Sequence, residues 1–282
     1  AMLSYRHAFH AGNFADVFKH VLLAHLIGAL RCKDKPFRVL DSHAGAGRYD
    51  LHSAPARKNR EFMDGIGRLW RRSGLSPQLD EYLDRVRALN PDGVLRWYPG
   101  SPRIARDLLR PGDRLVLTEL HPTDHASLRA EFAGDRQVAV HHADGYAALK
   151  AFLPPPARRG LVLLDPAYEL RDEFDRLAEA VRLIHHRWAG GSVAVWYPIL
   201  DRAPSLRCQR TLREADIPGI LCAELGLYPY DGPPGLHGCG MIIVNPPWRL
   251  DETLNRLLPE LLRWLHVGDA GQTRLEWLVP AP

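Results

Sequence analysis

Apolar side chains at Phe14, Val17, Phe18, Val21, Leu22 and Leu26 recur on one helical face and predict a helix over 14–31. Asn13 is placed to cap it, and Asp16 falls in its first turn. Ahead of it, Ser4-Tyr5-Arg6-His7-Ala8-Phe9-His10 forms an aromatic and basic arm without a period. A short apolar run at 37–41 follows a Lys-Asp-Lys-Pro break and reads as a buried strand. It runs into a small-residue turn, Ser42-His43-Ala44-Gly45-Ala46-Gly47-Arg48-Tyr49. Strands are predicted again at 114–119, 137–141, 160–165, 191–197 and 240–245, with helices at 124–133, 145–152, 173–188 and 204–216. Such alternation predicts an α/β fold, a mostly parallel sheet with helices on both faces. Residues 50–98 break the pattern: they are polar and helical, and carry Arg57, Lys58, Arg60, Arg68, Arg71 and Arg72 between Leu, Trp and Tyr positions. The chain is therefore read as one body, residues 1–49 and 99–282, with a basic helical subdomain inserted at 50–98. The loop at 228–238, with its Pro and Gly residues, reads as mobile or as a lid.

Composition narrows this picture modestly. With 282 residues, 46% hydrophobic and 25% charged, the chain is ordinary for a globular protein. A net charge of +4 permits an anionic partner without demanding one. Lys occurs only at positions 19, 33, 35, 58 and 150, so the positive charge is mostly Arg. Arg suits phosphate and base recognition, although codon bias produces the same excess. Cys32, Cys208, Cys222 and Cys239 form no CxxC pair, so no metal or redox motif is indicated, and they read as reduced thiols in a cytoplasmic protein. The apolar run 21–30 is too short to cross a membrane, and the N-terminal residues lack a signal-peptide layout. No long apolar heptad stands out, so a monomer is expected.

In an open parallel sheet, ligands bind beyond the carboxyl ends of the strands. Here those ends carry Asp41, Glu119, Asp144-Gly145 and Asp165-Pro166-Ala167-Tyr168. Buried carboxylates are costly unless paired, so the ring of acids suggests a polar ligand. Gly45 and Gly47 let the backbone approach that ligand. A nicotinamide enzyme would place a third glycine at position 50, which is Asp50, and no phosphate-binding Gly-Lys-Ser/Thr is present. An adenosine without a pyrophosphate remains, and S-adenosylmethionine fits. Glu119 can accept both ribose hydroxyls and Asp144 the adenine amino group; helix capping is the alternative use of both acids.

Asp165-Pro166-Ala167-Tyr168 is the sharpest chemical signal. An aromatic amine is a poor nucleophile because its lone pair is delocalised into the ring. A carboxylate and a backbone carbonyl that accept both amine hydrogens push the nitrogen toward a tetrahedral state. Pro166 fixes φ and can aim that carbonyl, and Tyr168 offers a ring on which a base can stack. Asn245-Pro246-Pro247-Trp248 matches the general pattern as well, but it lies about eighty residues later on what reads as an outer strand. Order along the chain favours Asp165.

Taken in order, Ser4-Tyr5-Arg6-His7, Ala11-Gly12-Asn13, Asp16, Lys19-His20, the 41–49 turn, Tyr98-Pro99-Gly100-Ser101-Pro102, Thr118-Glu119-Leu120-His121-Pro122 and Asn245-Pro246-Pro247-Trp248 resemble the RlmJ family of 23S ribosomal RNA adenine-N6 methyltransferases. The resemblance implies a Rossmann-like class I methyltransferase with a small helical insertion. It explains why Glu119 lies about seventy residues past the glycine turn, where about twenty is usual. It implies that His20, His43, Ser101, Glu119, Asp144 and Gly145 line the cofactor site with Lys19 nearby, that Asp165 is the catalytic acceptor, and that Tyr5 and His7 meet the target adenosine. The implied partner is 23S ribosomal RNA, naked or in early assembly. One residue departs from the pattern: the family carries Asp-Pro-Pro-Tyr, and Ala167 replaces its second proline, which frees φ and restores a backbone N–H.

Two rival readings stay open at this level. A DNA adenine methyltransferase would use the same chemistry, and the basic insertion would suit either backbone; no zinc finger or helix-turn-helix supports it. A non-catalytic RNA-binding protein would need no cofactor pocket. A solvated helix face is the alternative account of the basic run.

Overall fold

Asn13 accepts the Asp16 N–H at 2.9 Å and opens a helix, α1 (Phe14–Arg31), whose apolar face is buried from Val17 to Ile27. The structure, a computed structural model, describes residues 4–229, 231–232 and 234–282. The chain divides into two units, residues 1–148 and 149–282.

In the first unit, β1 (Arg38–Asp41) leads through the glycine turn to β2 (Arg48–Asp50). Three helices follow, α2 (Ala54–Asn59), α3 (Ile66–Leu69) and α4 (Pro77–Ala88), the first and last capped by Ser53 and Ser76. The chain returns along β3 (Trp97–Pro99), which pairs antiparallel with β2. Then come α5 (Ser101–Asp107), β4 (Arg114–Glu119), α6 (Pro122–Glu131), β5 (Val138–His142) and α7 (Gly145–Phe152), the last spanning the division between the units. β1, β4 and β5 are parallel, so Asp41, Glu119 and the residues after His142 end on the same side.

The second unit contains β6 (Gly160–Leu164), α8 (Glu173–Arg187), β7 (Ser192–Ile199), α9 (Arg202–Arg213), β8 (Ile220–Gly226), β9 (Gly238–Val244), α10 (Leu250–Leu265) and β10 (Gln272–Val279). β6 and β7 are parallel, whereas β9, β8 and β10 add antiparallel strands beyond β7. The α/β alternation and the parallel β1, β4, β5, β6 and β7 are as the sequence predicts, with strand edges shifted by a residue or two.

Two expectations are corrected. The strand predicted at 240–245 is not an outer one: β9 lies between β7 and β8, and all seven of its residues are buried, as both its edges and both its faces are covered. The elements β8, α10 and β10 were not anticipated. Pro259 interrupts the apolar stripe Leu250, Leu254, Leu257, Leu258, Leu261 and Leu265 of α10, and β8 is buried on both faces, apolar but for Glu224, so it lacks strand alternation. The lid expected at 228–238 includes Tyr230 and Pro233, which lie outside the described residues. Its ends are tied: the Leu227 and Tyr228 N–H groups both donate to the His237 carbonyl, at 2.9 and 3.1 Å.

Candidate active site

The small-residue turn closes over the end of β4. The Ala44 N–H donates to the Thr118 carbonyl (3.0 Å), and the Thr118 hydroxyl donates to the Ser42 carbonyl (2.7 Å). Gly45 and Gly47 take φ of +70° and +85°, a region that a side chain disfavours. The turn is held by Glu119, whose Oε2 accepts the Gly45 N–H at 2.7 Å while Oε1 accepts the His121 N–H at 2.7 Å. Burial raises the Glu119 carboxyl above its ordinary value, against the lowering effect of those two donors. Tyr49, buried beneath the turn, accepts the Ala46 N–H with its hydroxyl.

Asp41, buried at the end of β1, joins two of the expected cofactor residues. Its Oδ2 accepts the Ser101 hydroxyl at 2.6 Å, and its Oδ1 accepts the His43 N–H at 3.4 Å. His43 Nδ1 lies 2.6 Å from the Ser42 hydroxyl, and its ring sits edge-on to Tyr146 at 5.1 Å. Asp144 caps α7, with Oδ1 accepting the N–H groups of Tyr146 and Ala147 at 2.9 and 3.0 Å. A β-carbon at Gly145 would collide with the Ser42 carbonyl, so glycine there allows α7 to start against the turn. Asp144 thus makes the capping contacts that the sequence offered as the alternative, and Glu119 holds the turn.

A second cluster joins the arm to α1. Asp16, 1% exposed, sits at its centre. Its Oδ2 accepts the Gly12 N–H (2.9 Å) and lies 2.7 Å from His7 Nε2, and its Oδ1 is 3.2 Å from the Lys19 ammonium. Burial alone would raise this carboxyl, but His7, Lys19 and His20 overcome it and hold Asp16 well below the usual carboxylate range. His7 Nδ1 in turn bonds the Tyr5 hydroxyl at 2.8 Å. Tyr5 stacks on His10 (5.6 Å, 9°), and His7 sits edge-on to Tyr49 at 5.1 Å. His20 points into the core instead: its Nδ1 bonds the Tyr98 hydroxyl at 2.8 Å, which bonds that of Tyr82 at 2.8 Å, and burial pushes its pKa down to about 3. It is a neutral histidine in a buried polar chain.

In the second unit, Asp165 follows β6 at its carboxyl end. Pro166 is buried and Ala167 exposed. Tyr168 has φ +56°, an uncommon left-handed value for a bulky side chain. Its hydroxyl donates to the Trp196 carbonyl, and its ring packs on Phe174 (5.1 Å) and Trp196 (5.9 Å). Asn245 is at the other end of this unit's strands. β9 is antiparallel to β7, with Val244 opposite Val193, whereas the end of β6 lies beside Val195. The Asn245 amide donates to the Gly190 carbonyl (3.1 Å) and holds a loop together there.

The structure therefore brings His43, Gly45, Gly47, Ser101, Glu119, Asp144 and Gly145 to the ends of β1, β4 and β5, and Tyr5, His7 and Lys19 to Asp16. The sequence placed Asp16 in the first turn of the helix and, with Tyr49, among the residues of the resemblance, but assigned neither a role. Three carboxylates at adjoining strand ends disfavour a diphosphate and suit an adenosine ligand that carries a sulfonium, so the residues fit S-adenosylmethionine. Among the described residues no cluster of His, Cys, Asp and Glu could hold a metal, and no helix is long and apolar enough to cross a membrane.

Comparison with known proteins shows the family. A family model described as ribosomal RNA large subunit methyltransferase D, RlmJ, matches residues 34–279. Two relatives named ribosomal RNA large subunit methyltransferase J cover 99% of this chain and 100% of their own length: that of Escherichia coli (strain K12) is 45% identical and that of Haemophilus influenzae 43%. A crystal structure of protein LPL1258 from Legionella pneumophila is similar with a TM-score of 0.88 at 36% identity, covering 95% of this chain and 98% of that one. By sequence along nearly its whole length and by fold, this chain belongs to the RlmJ family of large-subunit ribosomal RNA methyltransferases.

Proposed function

We propose that this chain uses S-adenosylmethionine to methylate the exocyclic N6 of one adenine in 23S ribosomal RNA. The observation that carries the reading is the glycine turn clasped by Glu119 beside Asp41 and Asp144, in a chain of this family. Bound S-adenosylmethionine supplies an electrophilic methyl group on sulfur. Glu119 accepts the ribose hydroxyls and Asp144 the adenine amine, while Gly45, Gly47 and Gly145 keep the backbone close; His43, Ser101 and Lys19 border the site, and His20 supports it from the core.

Asp165 accepts one N6 hydrogen of the target, and a carbonyl of its loop, aimed by Pro166, accepts the other. The lone pair would thereby be turned out of conjugation, and the N6 proton released on methylation would have the Asp165 carboxylate as its acceptor. The loop's rigidity supports this role: Pro166 is buried, and Tyr168 is held by the Trp196 carbonyl in a backbone conformation that costs energy, as is common where geometry serves a site. Tyr5 and His7, fixed through Asp16, present the arm to the target nucleoside. The helical insertion at 50–98 contributes basic surface to the RNA. The finer expectations of a monomer, in the cytoplasm, acting on naked or early-assembly RNA belong to the same proposal.

The test incubates the protein with S-adenosylmethionine and naked 23S ribosomal RNA lacking the modification, and maps N6-methyladenine by mass spectrometry. One new N6-methyladenine is expected, with a loss of about a hundredfold or more in rate for Asp165→Ala. Ala167 is exposed and outside the core, so Ala167→Pro should change the rate by less than about threefold. Methylation of duplex DNA in preference to the RNA, or none despite cofactor binding, would overturn the proposal.

A further inference from the structure

The ribbon formed by β2 and β3 has one buried and one open face. Tyr49 and Tyr98 are directly opposite each other and both point inward, 8% and 0% exposed. Alternation along a strand then forces their neighbours Arg48, Asp50 and Trp97 outward. Two guanidinium groups lie over the Trp97 ring, Arg48 at 4.5 Å and Arg96 at 5.0 Å from its centroid. Beside it, Arg103 of α5 covers the Phe132 ring at 4.7 Å.

Arg48, Trp97 and Arg103 line an open groove of about 600 Å³ together with Ala46 and, from α6, Glu131, and Arg96 stands at its edge on the Trp97 ring. Two carboxylates hold the guanidiniums in place. Glu131 pairs with Arg48 (3.3 Å) and with Arg103 (2.5 Å), and Asp50 pairs with Arg96 (3.2 Å). Arg48 and Arg96 nonetheless stay 41% and 51% exposed, each with donors left for an incoming anion, since a guanidinium has five. The ribbon is tied to the glycine turn: the Gly100 N–H donates to the Gly47 carbonyl at 2.8 Å, and Ala46 and Arg48 are themselves part of the groove wall.

We infer that this groove binds a single-stranded segment of RNA flanking the target nucleotide, with a base stacked on the guanidinium–indole layer built on Trp97 and phosphates at the donors that Arg48 and Arg96 leave free. The inference rests on the proposed RNA substrate and deepens it. Guanidiniums layered on an indole in an open channel combine the stacking platform and backbone cations that single strands require. Duplex DNA offers no unstacked base to Trp97, so the groove discriminates against it. A strand laid along the ribbon runs up to the Gly45–Gly47 turn.

The test measures binding of a naked, unmethylated 23S ribosomal RNA transcript by fluorescence anisotropy at several salt concentrations, together with methyl transfer. Trp97→Ala should weaken binding and raise KM for the transcript about tenfold, with kcat at saturating RNA unchanged, and Trp97→Phe should restore most of it. Arg48→Gln should flatten the dependence of log affinity on log salt by about 0.7. S-adenosylhomocysteine affinity, read by calorimetry, should be unchanged in all three, which separates RNA contact from damage to the glycine turn. Wild-type RNA affinity and salt slope in Trp97→Ala and Arg48→Gln would overturn the inference, as would parallel loss of cofactor affinity or equal weakening toward duplex DNA. If wild-type protein binds the transcript but transfers no methyl group, the proposed function fails while the anisotropy series still decides the groove.

Discussion

Asp16 is costly to bury and is retained with three kinds of partner: a backbone N–H from Gly12, the ammonium of Lys19 and the imidazole of His7. Lys19 is itself only 6% exposed, so neutralising Asp16 would take a carboxylate 3.2 Å away from a buried cation. Asp16→Asn should therefore cost about 3 kcal/mol in urea unfolding. It should also lower kcat/KM for RNA about tenfold or more, because His7 links Tyr5 to Asp16 of α1. A variant that is destabilised yet fully active would show that Asp16 supports α1 alone and does not position the arm. Tyr168 tells a similar story at Asp165: its left-handed backbone is paid for by a hydroxyl bonded to Trp196 and a ring packed between two others.

The N-terminal arm is an element held by polar contacts rather than by apolar burial, and its order should follow pH. His10 Nδ1 lies 3.0 Å from Glu61, which also accepts the Asn13 amide at 3.1 Å. The hydrogen bond to Glu61 raises His10 above its ordinary 6.5, against the burial that lowers it. That contribution is complete below pH 6.5 and is lost as pH rises through the raised value. Burial would raise Glu61, but its bonds to His10 and Asn13 hold it below its ordinary 4.5, so its share is present above 4.5 and lost as pH falls through the lowered value. The arm is thus held best between these limits. Protease protection of the segment around Tyr5 to Asn13 should fall as pH rises above 6.5 through the raised His10 value, and Glu61→Gln should flatten that dependence; a profile identical in both proteins would remove the pair from the account. The gain is modest, since His10 is 37% exposed and its charge is screened.

For the whole molecule, the proposed cofactor residues all fall in residues 1–148, whereas Asp165, Pro166 and Tyr168 fall in 149–282. S-adenosylhomocysteine should slow amide exchange at 42–47, 119–121 and 144–147, by about 2.7 kcal/mol at a hundred times its Kd. Protection confined to other segments would displace the cofactor site. The sequence alone determined the helix at 14–31, the strand ends with their acids and the glycine turn, because each depends on local periodicity, small residues and punctuation over a few positions. It also singled out Asp165 over Asn245, although by chain order and an outer strand that does not exist. Only the tertiary structure decided the rest. Antiparallel pairing of β9 with β7 puts Asn245 at the far end of the strands. Folding brings Asp16 under His7, nine residues away, and Glu119 against Gly45, seventy-four residues away. Such contacts are made between groups whose separation along the chain carries no period, so no local pattern records them; they exist because packing brings the elements together and a buried charge must then find a partner.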